Sequence, residues 1–310
     1  MLIAAAQCAP VYLNPEATTE KAIGYIKEAA AQGVKVIAFG ETFLSGYPFW
    51  LSITGGAQFE NELQKQMYAR YLEAAICADH TCLKSLSKAA KEHQIYVLMG
   101  FMERPIGVAS GSVFCSLAAI HPEHGIERVH RKLVPTYEER LVWAAGDGFG
   151  LGVSQWQDTN ITALNCWENW MPLARHACYG QGSQLHIASW PGSTRLTKDI
   201  TRFVAKEGRV FVLSASSTLD YNDIPKDLPI FSALAADESY CNGGSAIAGP
   251  DGEWVVPPCE TRETLVVGDI NLELIAAERQ NFDPTGHYFR SDVFQIRMRK
   301  ERGQALSIDE

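Results

Sequence analysis

Short continuous apolar runs alternate along this chain with longer stretches in which apolar residues recur at helical spacing. Residues 2–7 and 34–39 are runs of the first kind. They are too short for a buried helix and suit strands covered on both faces. Between them, Asn14-Pro15-Glu16 carries the marks of a helix start: a capping side chain, a proline in the first turn and an acid near the positive end of the dipole. Ala22, Ile26 and Ala29 follow on one helical face, and Gly33 is placed to end it. The opening therefore reads strand, helix, strand.

The pattern recurs. Helical spacing over 58–76 and 81–92 precedes strands at 95–100, 113–120 and 128–132, the last two predicted as antiparallel neighbours joined by a turn at 121–125. Further strands are expected at 161–166, 184–189, 209–215 and 264–270, with helices over 171–180 and 196–208. Residues 243–248 and 254–256 flank Pro250-Asp251-Gly252, a hairpin with its turn signal. Alternation throughout makes this a layered α/β protein. No Ser/Gly-rich linker or break in composition divides it, so one domain over 1–294 is expected. The tail, 295–310, turns polar and is expected to extend away from the core, where it could join subunit contacts.

Composition narrows the possible partners. Among 310 residues, 46% are hydrophobic, enough for a sizeable core. The formal charge of −9 argues against nucleic acid, because phosphate binding needs clustered positive charge. The apolar runs fall far short of the roughly 20 residues a membrane helix needs. The N-terminus lacks a basic stretch followed by a long apolar core, so a cytoplasmic location is expected. Eight cysteines are present without CxxC spacing, which favours free thiols over disulfides and gives no zinc site. There is no GxxxxGK[ST] loop and no GxGxxG fingerprint, so a nucleotide cofactor lacks support.

Three segments fit a plain core reading poorly. In 40–48, Glu41 stands just past a strand buried on both faces, where sites form in α/β folds; alternatively it caps a turn. In 130–140, the charges of His130-Arg131-Lys132 suit a solvated turn, yet Lys132 also ends an apolar-flanked strand and could present its ammonium to a pocket. In 164–172, Cys166 sits where a strand gives way to a helix, and free N–H groups there stabilise a thiolate. Most cysteines are inert core thiols, and Cys8, Cys77, Cys115 and Cys241 are read that way. A fourth segment, 242–252, is explained by turn chemistry alone. His93, His121, His124 and His186 are read as structural or surface residues.

Taken together, GETFLSGYPFW, HRKLVPTYEERLVW, NCWENWMPLAR and GGSAIAGPDG stand in the order and spacing typical of the nitrilase superfamily. The chain most closely resembles its nitrilase branch, over residues 2–294. The resemblance implies a four-layer αββα sandwich and a Glu41–Lys132–Cys166 catalytic triad, with Glu139 matching the family's second glutamate and Glu138 at a variable position. It implies hydrolysis of a small nitrile to the carboxylic acid and ammonia through a Cys166 thioimidate and thioester, with no metal or organic cofactor. An amidase, a carbamoylase or a cyanide-hydrating enzyme would use the same residues. Tyr47, Trp167 and Trp190, with Trp50 and Trp143, either line the substrate pocket or pack in the core. The resemblance also implies a homodimer or a larger homo-oligomer, up to a spiral.

Overall fold

Strands alternate with helices as the apolar pattern requires, and the strands gather into two six-stranded sheets. The computed structural model describes residues 1–106 and 111–302. Its strands are β1 (Leu2–Gln7), β2 (Val36–Ala38), β3 (Tyr96–Glu103), β4 (Phe114–His121), β5 (Gly125–Arg131), β6 (Ser154–Trp156), β7 (Thr159–Asn165), β8 (Leu185–Trp190), β9 (Phe211–Ser216), β10 (Thr218–Asp220), β11 (Ser239–Asn242), β12 (Ser245–Ala248), β13 (Trp254–Cys259) and β14 (Thr264–Asp269). The helices are α1 (Pro15–Ala31), α2 (Trp50–Ile53), α3 (Glu62–Glu73), α4 (Thr81–His93), α5 (Pro172–Gly180), α6 (Thr194–Thr197), α7 (Ile200–Gly208) and α8 (Glu273–Arg279).

One sheet runs β14-β1-β2-β3-β4-β5 and the other β13-β12-β9-β8-β7-β6, with β10 and β11 forming a separate two-stranded ribbon. Parallel pairs occupy the middle of each sheet, β1-β2-β3 in one and β7-β8-β9 in the other, and antiparallel strands close the edges. Because side chains alternate along a strand, each sheet serves two cores. Ile3 and Ala5 of β1, with Val36 and Leu98, meet Ile187, Leu213 and Ile247 between the sheets. Ala4 and Ala6 of the same strand face the other way, onto Ile26 of α1 and Leu86 of α4. The outer face of the second sheet packs Ala188 and Val212 against Val204 and Ala205 of α7. Leu164 of β7 meets Ala174 and Cys178 of α5. The layers are therefore α, β, β, α, and two-sided burial explains the continuous apolar runs.

Local signals act as read. Asn14 accepts a hydrogen bond from the Ala17 N–H (3.0 Å) at the start of α1. β4 and β5 pair antiparallel across the expected turn. Three expectations are corrected. The helix of 58–76 is shorter, because Asn61 caps it at Glu62 by accepting from the Gln64 N–H (3.0 Å). The helix of 196–208 is two pieces, α6 and α7, and the Thr197 hydroxyl at the end of the first donates to the Gly244 carbonyl (2.6 Å). The tail does not leave the body as far as Arg302: Met298 packs beside α5, and Arg302 donates to the Val129 carbonyl (2.9 Å). Residues 303–310 lie outside the described residues. The short strands β6, β10 and β11 and the helix α8 carry too little periodicity to stand out in the sequence.

Candidate active site

Glu41, Lys132 and Cys166 each follow a strand, β2, β5 and β7, and the two sheets bring them to one place. Backbone contacts set the meeting point. The Glu41 N–H donates to the Trp190 carbonyl (3.0 Å) across the sandwich, and the Ser189 hydroxyl donates to the Phe39 carbonyl (3.0 Å). This approach leaves no room for side chains. A Cβ on Gly40 would lie 2.9 Å from the Trp190 carbonyl oxygen of the other sheet, and one on Gly100 of β3 would run into the Gly40 carbonyl oxygen and lie 2.6 Å from the Thr42 nitrogen.

The charged groups form one network, buried to the last residue. Lys132 Nζ donates to Glu41 Oε1 (2.8 Å) and to Glu139 Oε2 (2.6 Å). Glu139 also accepts from the Thr136 N–H (2.6 Å) and the Tyr47 hydroxyl (3.0 Å). Cys166 Sγ and a carboxylate oxygen from each of Glu41 and Glu139 all lie within 4.8 Å of one another. The cation between those carboxylates is the ammonium of Lys132 itself. Glu41 Oε2 has no hydrogen-bond partner among the described residues. His130, Arg131 and Lys132 are all buried, so the solvated-turn reading of that segment fails: the segment continues β5 into the interior.

Burial dominates the electrostatics. It pushes the Glu41 carboxyl up to about 7, against the pull of Lys132 and with the help of Glu139. Burial pulls Lys132 the other way, but Cys166, Glu41 and Glu139 together outweigh it and hold the ammonium well above its usual range. The Cys166 thiol is pushed well above its usual range by burial and by Glu41, although Lys132 and the Trp167 N–H oppose this. The expected stabilisation of a thiolate by nearby N–H groups is thus present but outweighed. At rest the site holds a thiol, and a thiolate requires a base to take its proton.

Cys166 has φ = +47°, a left-handed conformation for a residue with a Cβ, which costs on the order of 1–3 kcal/mol. The turn that follows, Cys166–Trp170, is a single 3₁₀ segment. Its neighbours hold the elbow. Glu168 accepts from the Asn165 N–H (2.8 Å) and the Leu133 N–H (2.6 Å), and bonds His130 Nε2 (3.0 Å). It therefore ties the cysteine turn to the residue after Lys132. Burial disfavours its charge, yet His130 and the two N–H donors hold its carboxyl below the ordinary range. Asn169 donates to the Cys166 carbonyl (2.8 Å) and is braced by His186 Nε2 (2.8 Å). Burial holds His186 down at about 3. Sequence reading missed His130 and Asn169 and took His186 as merely structural. The visible signal was Glu168 and Asn169 beside Cys166, without sight of their partners.

The aromatic candidates separate. Tyr47 lines a cavity of about 10 Å³ next to Glu41, walled also by Pro10, Pro191, Ser217, Thr218 and Leu219. That is about one water. Neither Trp167 nor Trp190 lines it. The Trp190 indole is buried and donates to Ser214 (3.2 Å), whereas the Trp167 ring is half exposed and sits beside Trp170. Trp50 packs in the core against Tyr71. Trp143 holds the edge of the site, with its ring 5.4 Å from Lys132 Nζ and edge-on to Tyr47.

A buried thiol on a strained elbow, a free carboxylate oxygen and a lysine shared by two glutamates are the groups that nucleophilic attack on a polarised carbon requires. The carbon–nitrogen hydrolase family model matches residues 2–280, and the chain belongs to that family of hydrolases acting on carbon–nitrogen bonds. It is 35% identical to an aliphatic nitrilase of Sinorhizobium fredii over 98% of this chain and 97% of that one. It is 36% identical to a nitrilase of an unknown prokaryotic organism, over 98% and 94%. Among solved structures it resembles Nit3 of Saccharomyces cerevisiae, from branch 10 of the nitrilase superfamily, with a TM-score of 0.71 at 15% identity over 93% of this chain and 96% of that one. The likeness confirms the αββα fold.

Proposed function

We propose that this chain is a nitrilase, converting a small organic nitrile and two waters to a carboxylic acid and ammonia. The observation that carries the reading is the gathering of Cys166, Glu41 and Glu139 within 4.8 Å around Lys132 in a chain with full-length nitrilase relatives. Glu41 Oε2 takes the Cys166 proton as the sulfur attacks the nitrile carbon, and a carboxylate pushed up to about 7 is a better base for this than an ordinary one. Charge developing on the nitrile nitrogen meets the Lys132 ammonium and the Trp167 N–H, donors worth about 3 kcal/mol each when well placed. The proton returns to nitrogen and gives the thioimidate. Water, deprotonated by Glu41, adds to its carbon; ammonia leaves and a thioester remains. A second water releases the acid and restores the thiol. Glu139 holds Lys132 between the carboxylates, and Tyr47 holds Glu139.

The same reading covers assembly, organisation and location. A groove of about 660 Å³ between α5 and the C-terminal segment is lined by Leu173, Tyr179, Phe282, Phe289 and Phe294, and Leu173 and Phe294 are largely exposed. A second copy of the chain covers this face, placing a subunit contact one helix from Cys166. The catalytic unit is 1–294, with 295–310 as a tail available to subunit contacts. Eight free cysteines suit a reducing compartment, the cytoplasm. No described helix is long and apolar enough to cross a membrane.

Matched nitriles and amides test the chemistry. Acid and ammonia should appear in equal amounts from the nitrile, and Cys166→Ala should abolish both. Turnover of the amide alone would make the chain an amidase, and amide as the main product from nitrile would make it a hydrating enzyme.

A further inference from the structure

Glu41 has two carboxylate oxygens in unlike surroundings. Oε1 accepts both the Lys132 ammonium (2.8 Å) and the Cys115 thiol (3.3 Å), whereas Oε2 is buried without a partner among the described residues. Cys115 is itself almost fully buried on β4, and its backbone carbonyl accepts from the Lys132 N–H (2.8 Å). One residue thus touches both partners of the central ion pair, the lysine through its backbone and the glutamate through its side chain.

We propose that Cys115 is a positioning residue for the base: its S–H pins Glu41 Oε1, so that Oε2 is left free to take the Cys166 proton, and sets how readily Glu41 ionises. This rests on the reading that Glu41 deprotonates Cys166. A carboxylate with both donors on one oxygen cannot swing its free oxygen away without breaking two hydrogen bonds. Burial and the adjacent Glu41 hold the Cys115 thiol well above its usual range, so it stays protonated and remains a donor. Cys115 is therefore a second thiol of the site with a role opposite to that of the first. It gives a hydrogen bond, while Cys166 gives up a proton.

Removing a donor from a carboxylate raises its pKa. In Cys115→Ala the acid limb of kcat/KM should move to higher pH, which lowers kcat/KM about three- to tenfold below the limb and much less above pH 8.5. Cys115→Ser keeps a donor, and a stronger one, so its limb should stay in place or move to lower pH. Thermal melts establish that each variant is folded; if Cys115→Ala is not, Cys115→Val replaces it. The pH dependence of Cys166 alkylation by iodoacetamide, read on the isolated peptide by mass spectrometry, gives the same comparison without turnover. Upward movement of both limbs in the variants lacking the donor, restored by serine, supports the role. Profiles coincident with the unsubstituted protein, or an even loss at every pH, would overturn it. The nitrilase reading fails separately, through absent nitrile turnover or activity that survives in Cys166→Ala.

Discussion

Lys132→Met removes the ammonium from between Glu41 and Glu139 while keeping most of the side-chain volume. In the intact site that ammonium lies 2.8 Å and 2.6 Å from the two carboxylates, with no exposure to solvent. At an effective dielectric of about 20, each contact carries on the order of 6 kcal/mol of Coulomb attraction, much of it offset by the cost of burying the charges. Breaking a buried pair by deleting one partner costs about 3–5 kcal/mol, because the remaining charge has no compensation. The variant has an escape: two carboxylates left close together can share a proton, which raises the pKa of the pair. A carboxyl whose folded pKa lies above its unfolded value contributes stability that is complete below the unfolded pKa and is lost as pH rises through the folded one. Urea unfolding of Lys132→Met should therefore show a deficit that grows between pH 5.5 and 8.5, by up to about 1.4 kcal/mol per pH unit for each proton taken up. Adding Glu139→Gln should return much of the stability and none of the nitrile turnover. A Lys132→Met protein as stable as its parent at pH 8, with a flat pH profile, would refute the account of the site as a lysine-bridged carboxylate pair.

The base itself predicts a pH dependence: with Glu41 pushed up to about 7 by burial, kcat/KM for a nitrile should fall tenfold per unit below that pH. Glu41→Gln should lose activity by at least about a hundredfold at every pH, and retention of the acid limb in that variant would assign the limb to another group. Gly100→Ala places a methyl against the Gly40 carbonyl oxygen and the Thr42 nitrogen. It should cost about 1–3 kcal/mol by urea midpoint and lower kcat by displacing Glu41. Gly24→Ala, where nothing lies within 4 Å in the middle of α1, should instead be neutral or stabilising by about 0.5–1 kcal/mol; equal effects at the two positions would remove the close-approach argument.

The layers of this fold were legible because two-sided burial writes itself as continuous apolar runs, and the helix cap at Asn14 is local chemistry; the cap at Asn61 was as local but went unread. The positions of Glu41, Lys132 and Cys166 at strand ends were legible for the same reason. What holds them was not. Glu168 meets His130 from 38 positions away, and Cys115 meets Glu41 from 74 positions away. Nothing near either residue in the chain announces the partner. The run His130-Arg131-Lys132 shows the limit from the other side. Its composition is that of a solvated turn, and only the tertiary partners Glu168, Glu103, Glu41 and Glu139 allow these three adjacent side chains to be buried. Aromatic side chains were the least readable, since Trp190 in the core and Trp167 near the surface differ in surroundings rather than in local sequence.

The shape of the support explains why the site is built between sheets rather than on one. Glu41 comes from the first sheet and Cys166 from the second, and in the proposed mechanism the proton crosses from one to the other. Such a transfer needs hydrogen-bond reach, directly or through one water, so it depends on how the two sheets are held against each other. Two sets of bonds hold them. The Glu41 N–H and the Phe39 carbonyl are tied to Trp190 and Ser189 of β8. Glu168, two positions after Cys166 in the chain, reaches back to the Leu133 N–H at the end of the first sheet. The segments carrying Glu41 and Cys166 are therefore each anchored to the opposite sheet as well as to their own. The left-handed strain at Cys166 is held by this cross-bracing, with Asn169 and His186 supporting the turn from behind.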